Sequence, residues 1–268
     1  VVAKPFQGTN IGDDEAKIDY YNIGFVKWAG FNGLVEYAGD DITAVVQVGL
    51  SNQQFQREDR FNNIDNPISD KANLGGGYFK GGVNYNFTER SNVFVNAGFI
   101  DRQPLFDAVF PNFGNDINDD LQNERIELFE IGYGYIGNGL KLNVNAYTTN
   151  WGNRFVTRSL SNQQGVDGTA QFRNIDVTHK GIEAEATYTL GSTKLRGMLS
   201  VGDWRYTKDF EAELFDENQQ SIGTGKLYLE GAKVGDAAQT TALLGLDQRL
   251  GDNIRFDIDY RFVDGLFA

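Results

Sequence analysis

The feature that most constrains this chain is strict two-residue alternation over unusually long runs. Near the C-terminus, Ile254, Phe256, Ile258, Tyr260 and Phe262 fall on one face, while Arg255, Asp257, Asp259 and Arg261 fall on the other. Successive side chains of an extended strand point to opposite sides of the sheet, so this run is a β-strand with one apolar and one polar surface. Leu140, Leu142, Val144, Ala146 and Thr148 oppose Lys141, Asn143, Asn145, Tyr147 and Thr149 in the same way. The apolar face covers either a soluble core or lipid. The polar face meets either bulk water or an enclosed aqueous space.

The pattern predicts ten strands, at about 28–38, 42–58, 74–87, 92–103, 125–136, 140–158, 177–190, 194–209, 237–250 and 254–264, and no helical periodicity. Short turn signals separate alternate pairs: "AGDD" at Ala38, "TERS" at Thr88, "GNG" at Gly137, "GST" at Gly191 and "GDN" at Gly251. Each supplies the Gly, Asn, Asp or Ser chemistry of a tight hairpin. Between them lie long polar segments, at Asp59 to Asn73, Pro104 to Glu124, Ser159 to Asp176 and Phe210 to Gly235. Short and long connections therefore alternate along the chain.

These runs far exceed the roughly 5 to 6 residues usual for soluble strands and suffice for the about 9 to 11 of a barrel strand in a bilayer. Tyr37, Tyr85, Phe87, Tyr133, Tyr135 and Tyr188 sit on the apolar face just before the short turns, as an interfacial aromatic girdle requires. Short turns at one end and long loops at the other is the asymmetry of outer-membrane barrels. The chain contains no run of eighteen apolar residues, so no transmembrane helix is present. Membrane passage would need a closed barrel, because an open sheet edge leaves backbone groups unsatisfied in hydrocarbon.

Composition removes other classes. Glycine is abundant at 32, proline is only 4 and cysteine is absent, which suits many-stranded β structure and excludes thiolate zinc sites and cysteine nucleophiles. The net charge of −13, from 24 basic and 37 acidic residues, argues against nucleic acid as a partner. The stretch Val1 to Asn22 lacks the sections of a signal peptide, and "YRFVDGLFA" arrives without a partner for the last strand. The expectation is one piece, 1–268, of a larger barrel.

Several stretches carry a resemblance: "NERIELFEIGYGYIGNGLKLNVNAYTTNWGNRF" (Asn123 to Phe155), "NIDVTHKGIEAEATYTL" (Asn174 to Leu190) with its G-I-E-A-E core, and "VGDAAQTTALLGLDQRL" (Val234 to Leu250). "SNVFVNAGFIDRQPLFDAVFPNF" (Ser91 to Phe113) and "LSVGDWRY" (Leu199 to Tyr206) add to it. Together they resemble the β-barrel of TonB-dependent outer-membrane receptors. The resemblance implies an all-β, antiparallel transmembrane barrel of about 22 strands, with short periplasmic turns and long extracellular loops, plugged by an N-terminal domain. It implies active uptake of a scarce nutrient, such as a ferric siderophore, haem, cobalamin or an oligosaccharide, and in some members signalling. The implied partners are the lipid bilayer and lipopolysaccharide, the receptor's own plug, the TonB complex acting through an N-terminal box, and the nutrient ligand. This chain displays neither plug nor box, and the first and last barrel strands are expected outside it.

Motifs for other chemistry fit poorly. "GYGYIG" at Gly132 matches the dinucleotide fingerprint G-x-G-x-x-G, but an alternating strand follows it where that site needs a helix N-terminus. Asp116, Asn118, Asp120 and Glu127 fall at calcium-loop positions, yet Leu121 stands where that loop needs glycine. His179 is the only histidine, and no G-x-S-x-G elbow accompanies it. Glu183 and Glu185 share a face as a glycosidase pair would, a pattern other strands repeat. No catalytic residue, metal site or cofactor is expected, and the chain is read as non-enzymatic. The expected lumen wall is Glu130, Lys141, Asn143, Asn145, Glu183, Glu185, Arg255, Asp257, Asp259 and Arg261. Trp151, Arg154, Trp204 and Arg205 lie near the loop ends, as rim contacts for a ligand or as an outer girdle facing headgroups. A passive porin or adhesin barrel, and a soluble secreted glycan-binding β protein, stand as alternatives.

Overall fold

The computed structural model describes residues 21–161, 167–216 and 220–267, so the leader ahead of Tyr21 lies outside it. Twelve strands follow one another: β1 (Asn22–Ala38), β2 (Ile42–Asp59), β3 (Ala72–Thr88), β4 (Ser91–Arg102), β5 (Glu124–Gly137), β6 (Leu140–Ser161), β7 (Asp167–Leu190), β8 (Thr193–Tyr206), β9 (Phe210–Asp216), β10 (Ser221–Leu227), β11 (Ala238–Leu250) and β12 (Ile254–Leu266). Ten of them pair antiparallel in chain order, β1 to β8 and then β11 and β12. β9 and β10 form a hairpin off this path, with β9 paired to the first part of β7.

The ten long strands stand where the alternation placed them, with three corrections. β1 begins at Asn22, six residues earlier than expected. β6 and β7 run on to Ser161 and from Asp167 through the segment read as loop, and Phe210 to Gly235 contains β9 and β10. The β4–β5 connection holds a helical turn, α1 (Phe106–Val109), and a 3-10 turn at Pro111–Phe113, too short to leave a periodic signal. The tight turns match their chemistry: Asn138 and Gly139 take φ of 51° and 78°, the positive pair that matches hairpin twist. A Cβ on Gly139 would sit 2.3 Å from the Thr189 carbonyl oxygen.

Cross-strand register keeps the two faces separate. One row runs Tyr37, Ala44, Val83, Val95, Ile131, Ala146, Ile182 and Val201. The neighbouring row on the opposite face runs Glu36, Val45, Gly82, Asn96, Glu130, Tyr147, Gly181 and Gly202. The apolar row climbs from beside the β1–β2 turn to near the loop end of β8, as the tilt of barrel strands requires. Its side chains are not covered by protein: Ile131 is 50 % exposed and Ile182 is 59 % exposed. A continuous apolar sheet face of this size has no place in water.

Among the described residues, buried cores form only at the loop ends. One gathers Phe55 and Ala72 under Val109 and Phe110 of the β4–β5 connection, with Phe106 and Leu121 beside them. The other gathers Ala170, Phe172, Ile175 and Val177 of β7 against Phe210 and Ala212 of β9. Beside the first core, Asp59 accepts the amide hydrogens of Phe61 and Asn62 and the Asn63 side-chain amide, folding the chain back after β2. Burial pushes its carboxyl up, but those hydrogen bonds and Arg57 outweigh it and hold it below the usual carboxylate range. A depressed folded value contributes stability that is present above the unfolded value of about 4 and lost as pH falls through the folded one. Protection of the Phe61 and Asn62 amides from hydrogen exchange is therefore expected to fall on acidification below about pH 4, and Asp59→Asn should flatten that dependence.

Candidate functional site

The register brings all ten residues expected on the lumen wall to a single face. Asn143 and Asn145 lie opposite Glu185 and Glu183, Glu130 lies opposite Tyr147, and Arg261, Asp259 and Asp257 reach the same face through β11 and β8. Glu130 accepts hydrogen bonds from the side-chain amides of Asn96 and Asn145, and Glu183 accepts one from the Ser200 hydroxyl at 3.3 Å. Nearer the turns, Arg196 bridges Asp247 at 3.0 Å and Asp259 at 2.7 Å, and Arg255 reaches Asp247 at 2.6 Å. Gly132 and Gly134 also lie here, beneath Phe94 and Asn92; they are small residues within β5, not a phosphate-binding turn.

At the loop end of this face a cluster forms around Trp151. Its indole N–H donates to Glu124 Oε2 at 2.8 Å, and Arg102 donates to the same oxygen. The Arg154 and Arg102 guanidinium carbons lie 4.4 and 5.3 Å from the indole centroid, within cation–π range. Arg154 gets there through a pair of bulges: Asn153 and Asn174 have φ of 58° and 54°, and the register slips between Trp151 and Val156. The Asp176 carboxylate fixes the first bulge by accepting the Asn153 amide at 2.9 Å. Among the described residues no carboxylate lies within ion-pair distance of Arg154, so the cluster carries two cations against one anion.

The other two loop-end residues part company. Trp204 lies on the polar face, donating its N–H to the Tyr147 hydroxyl at 3.0 Å and meeting His179 edge-on at 5.3 Å. Arg205 points to the opposite face and pairs with Asp203. The calcium-loop positions disperse: the Asn118 amide bonds the Ala108 carbonyl, Asp120 pairs with Arg173, and Glu127 lies on β5. Among the described residues no group of three His, Cys, Asp or Glu is arranged to hold a metal. Arg102 and Glu124 are site residues that the sequence reading leaves unassigned, while it gives Tyr147 a place on the polar face and His179 a structural or rim place at a strand start. Only strand register shows that they converge.

The family model described as "TonB dependent receptor-like, beta-barrel" matches residues 3–265. The chain belongs to this family. The TonB-dependent receptor barrel is thus an outer-membrane fold, with short periplasmic turns and long extracellular loops. Its sheet resembles that of "Copper transporter OprC", with a TM-score of 0.60 and 14 % identity over 88 % of this chain and 43 % of that one. It also resembles "The FrpB iron transporter from Neisseria meningitidis (F3-3 variant)", with a TM-score of 0.57 and 17 % identity over 90 % of this chain and 33 % of that one. The chain thus spans less than half the length of either neighbour. No curated protein matches it in sequence.

Proposed function

We propose that this chain is part of the barrel of an energised outer-membrane receptor, non-enzymatic, that imports a scarce anionic chelate. The apolar face meets lipid, and the polar face with its ten named residues is the lumen wall, since large barrels keep polar interiors. β1 and β12 carry no further strand among the described residues, and a free edge in hydrocarbon is costly, so further strands of the same receptor close the barrel. A plug occupies the lumen and couples it to TonB.

The carrying observation is the Arg102–Trp151–Arg154 cluster, where two guanidiniums and an indole face the lumen mouth with a single carboxylate between them. That chemistry favours a ferric siderophore or haem over cobalamin or a neutral oligosaccharide, because cation and ring together recognise flat anionic groups. Metal transport in the two structural neighbours' names agrees with this choice.

Arg154→Ala in the full-length receptor tests it. Binding of an anionic ferric tris-catecholate or of haem is expected to weaken by about 2 kcal/mol, roughly thirtyfold, the scale of an arginine hot spot. Ser200→Ala, deeper in the wall, should leave binding unchanged. Uptake should also collapse when a protonophore removes the energy source. Persistence of uptake would mark a passive pore instead, and tight binding of a neutral glycan alone would replace the chelate.

A further inference from the structure

A strand that keeps its period cannot put Trp151 and Arg154 on one face, because residues three apart point to opposite sides of a sheet. They meet because Gly152 and Asn153 together stand against a single residue of β7, Asp176, and the extra residue turns Arg154 over to the indole. That bulge needs support from outside β6. Asn153 sits at a φ of 58°, in the left-handed region that side chains rarely adopt. It has no partner in the register between β6 and β7, and its amide hydrogen goes instead to Asp176 Oδ1 at 2.9 Å.

The same residue is anchored away from the site. Asp176 Oδ2 lies 2.6 Å from Lys208 Nζ, and the Asp176 carbonyl oxygen accepts the Thr207 amide at 3.1 Å and the Thr207 hydroxyl at 3.3 Å. Asp176 is thus held from the connection between β8 and β9 while it holds the bulge on β6. Gly152 fits this arrangement: a Cβ there would stand 3.0 Å from Asp176 Oδ1, closer than ordinary van der Waals contact, so glycine gives the carboxylate room. No carboxylate among the described residues lies within ion-pair distance of Arg154, so Asp176 acts on it through the backbone or through its field alone.

We propose that Asp176 is a positioning residue for ligand recognition: by accepting the Asn153 amide it keeps Arg154 over Trp151 at the lumen mouth. Its role rests on the anionic-chelate reading above. The sign of the effect separates positioning from electrostatics. An acid beside a cationic site repels an anionic ligand, so charge alone would make binding tighter once Asp176 is removed. Loss of the bulge does the reverse, since a slip of one residue sends Arg154 to the other face.

The test is binding of ferric tris-catecholate to the full-length receptor. Asp176→Ala is expected to weaken it by about tenfold, the order of one lost hydrogen bond to a charged group. Asp176→Asn keeps an oxygen for the Asn153 amide and drops the charge, so it should bind at least as tightly as the unmodified receptor. In an Arg154→Ala background, where the cation to be positioned is gone, Asp176→Ala should add less than about twofold. Hydrogen exchange reads the bulge itself: the Asn153 amide should lose protection in Asp176→Ala and keep it in Asp176→Asn. Equal weakening in the Ala and Asn variants, or an Asp176→Ala effect that multiplies in full with that of Arg154→Ala, overturns the positioning role. So does unchanged or tighter binding in Asp176→Ala while Arg154→Ala weakens it. An Arg154→Ala variant that binds normally would remove the chelate reading and this role with it, a result distinct from a failure of positioning alone.

Discussion

Leu199→Arg is expected to destabilise the folded barrel by about 2 to 4 kcal/mol, the cost of an arginine facing lipid near the bilayer midplane. Leu199 is 48 % exposed on the apolar face, between Ala184 of β7 and Ala242 of β11. These small neighbours offer a guanidinium no partner, and the loop-end charges begin only at Asp203, four residues along the strand. The side chain must therefore either lie in hydrocarbon or thin the bilayer around it. Ser200→Arg, one residue on, points to the opposite face beside Glu183 and should cost far less, since an aqueous wall tolerates charge and the glutamate offers it a partner. Denaturant titration of the full-length receptor in bilayers measures both. Equal costs at the two positions would mean that neither face meets lipid.

That contrast rests on information the sequence already carried. Alternation over the ten long strands identifies two faces, and the regular register of the hairpins then aligns them, because one-residue slips would bring Arg255 or Glu183 into the apolar row. Alternation also separates Trp204 from Arg205: adjacent strand residues cannot share a face, so the two could never have formed one rim site. The Trp151 cluster lay beyond the same rule. Arg154 joins Trp151 only because bulges at Asn153 and Asn174 break the period, and Arg102 and Glu124 join through strand pairing between residues far apart in the chain. The bulges hide the outer half of the β6–β7 hairpin as well, because beyond Arg154 the period resumes out of phase. β9 and β10 stayed unread for another reason. They are short, and Glu211, Glu213, Gly223 and Gly225 dilute whatever apolar rhythm they have.

Phe172→Ala is expected to release the β9–β10 hairpin from the outer half of β7, at a local cost of about 3 to 5 kcal/mol for the lost ring and the cavity it leaves. Phe172 is 9 % exposed and lies directly opposite Ala212 of β9 and Val156 of β6, at the centre of the core shared with Phe210, Ile175 and Val177. β9 meets β7 over only five residue pairs, Gly168 to Phe172, and the hairpin's other strand, β10, has no second partner among the described residues. A two-stranded hairpin is marginal in water without an apolar face to cover, so this core decides whether the hairpin docks. The spanning strands meet this core only at their loop ends, through Trp151, Val177 and Tyr206, and should keep their denaturation midpoint. Hydrogen exchange should then show lost protection in β9 and β10 with the amides of β11 and β12 unchanged. Loss of protection throughout the barrel would instead make the extracellular sheet part of one cooperative unit with the membrane span.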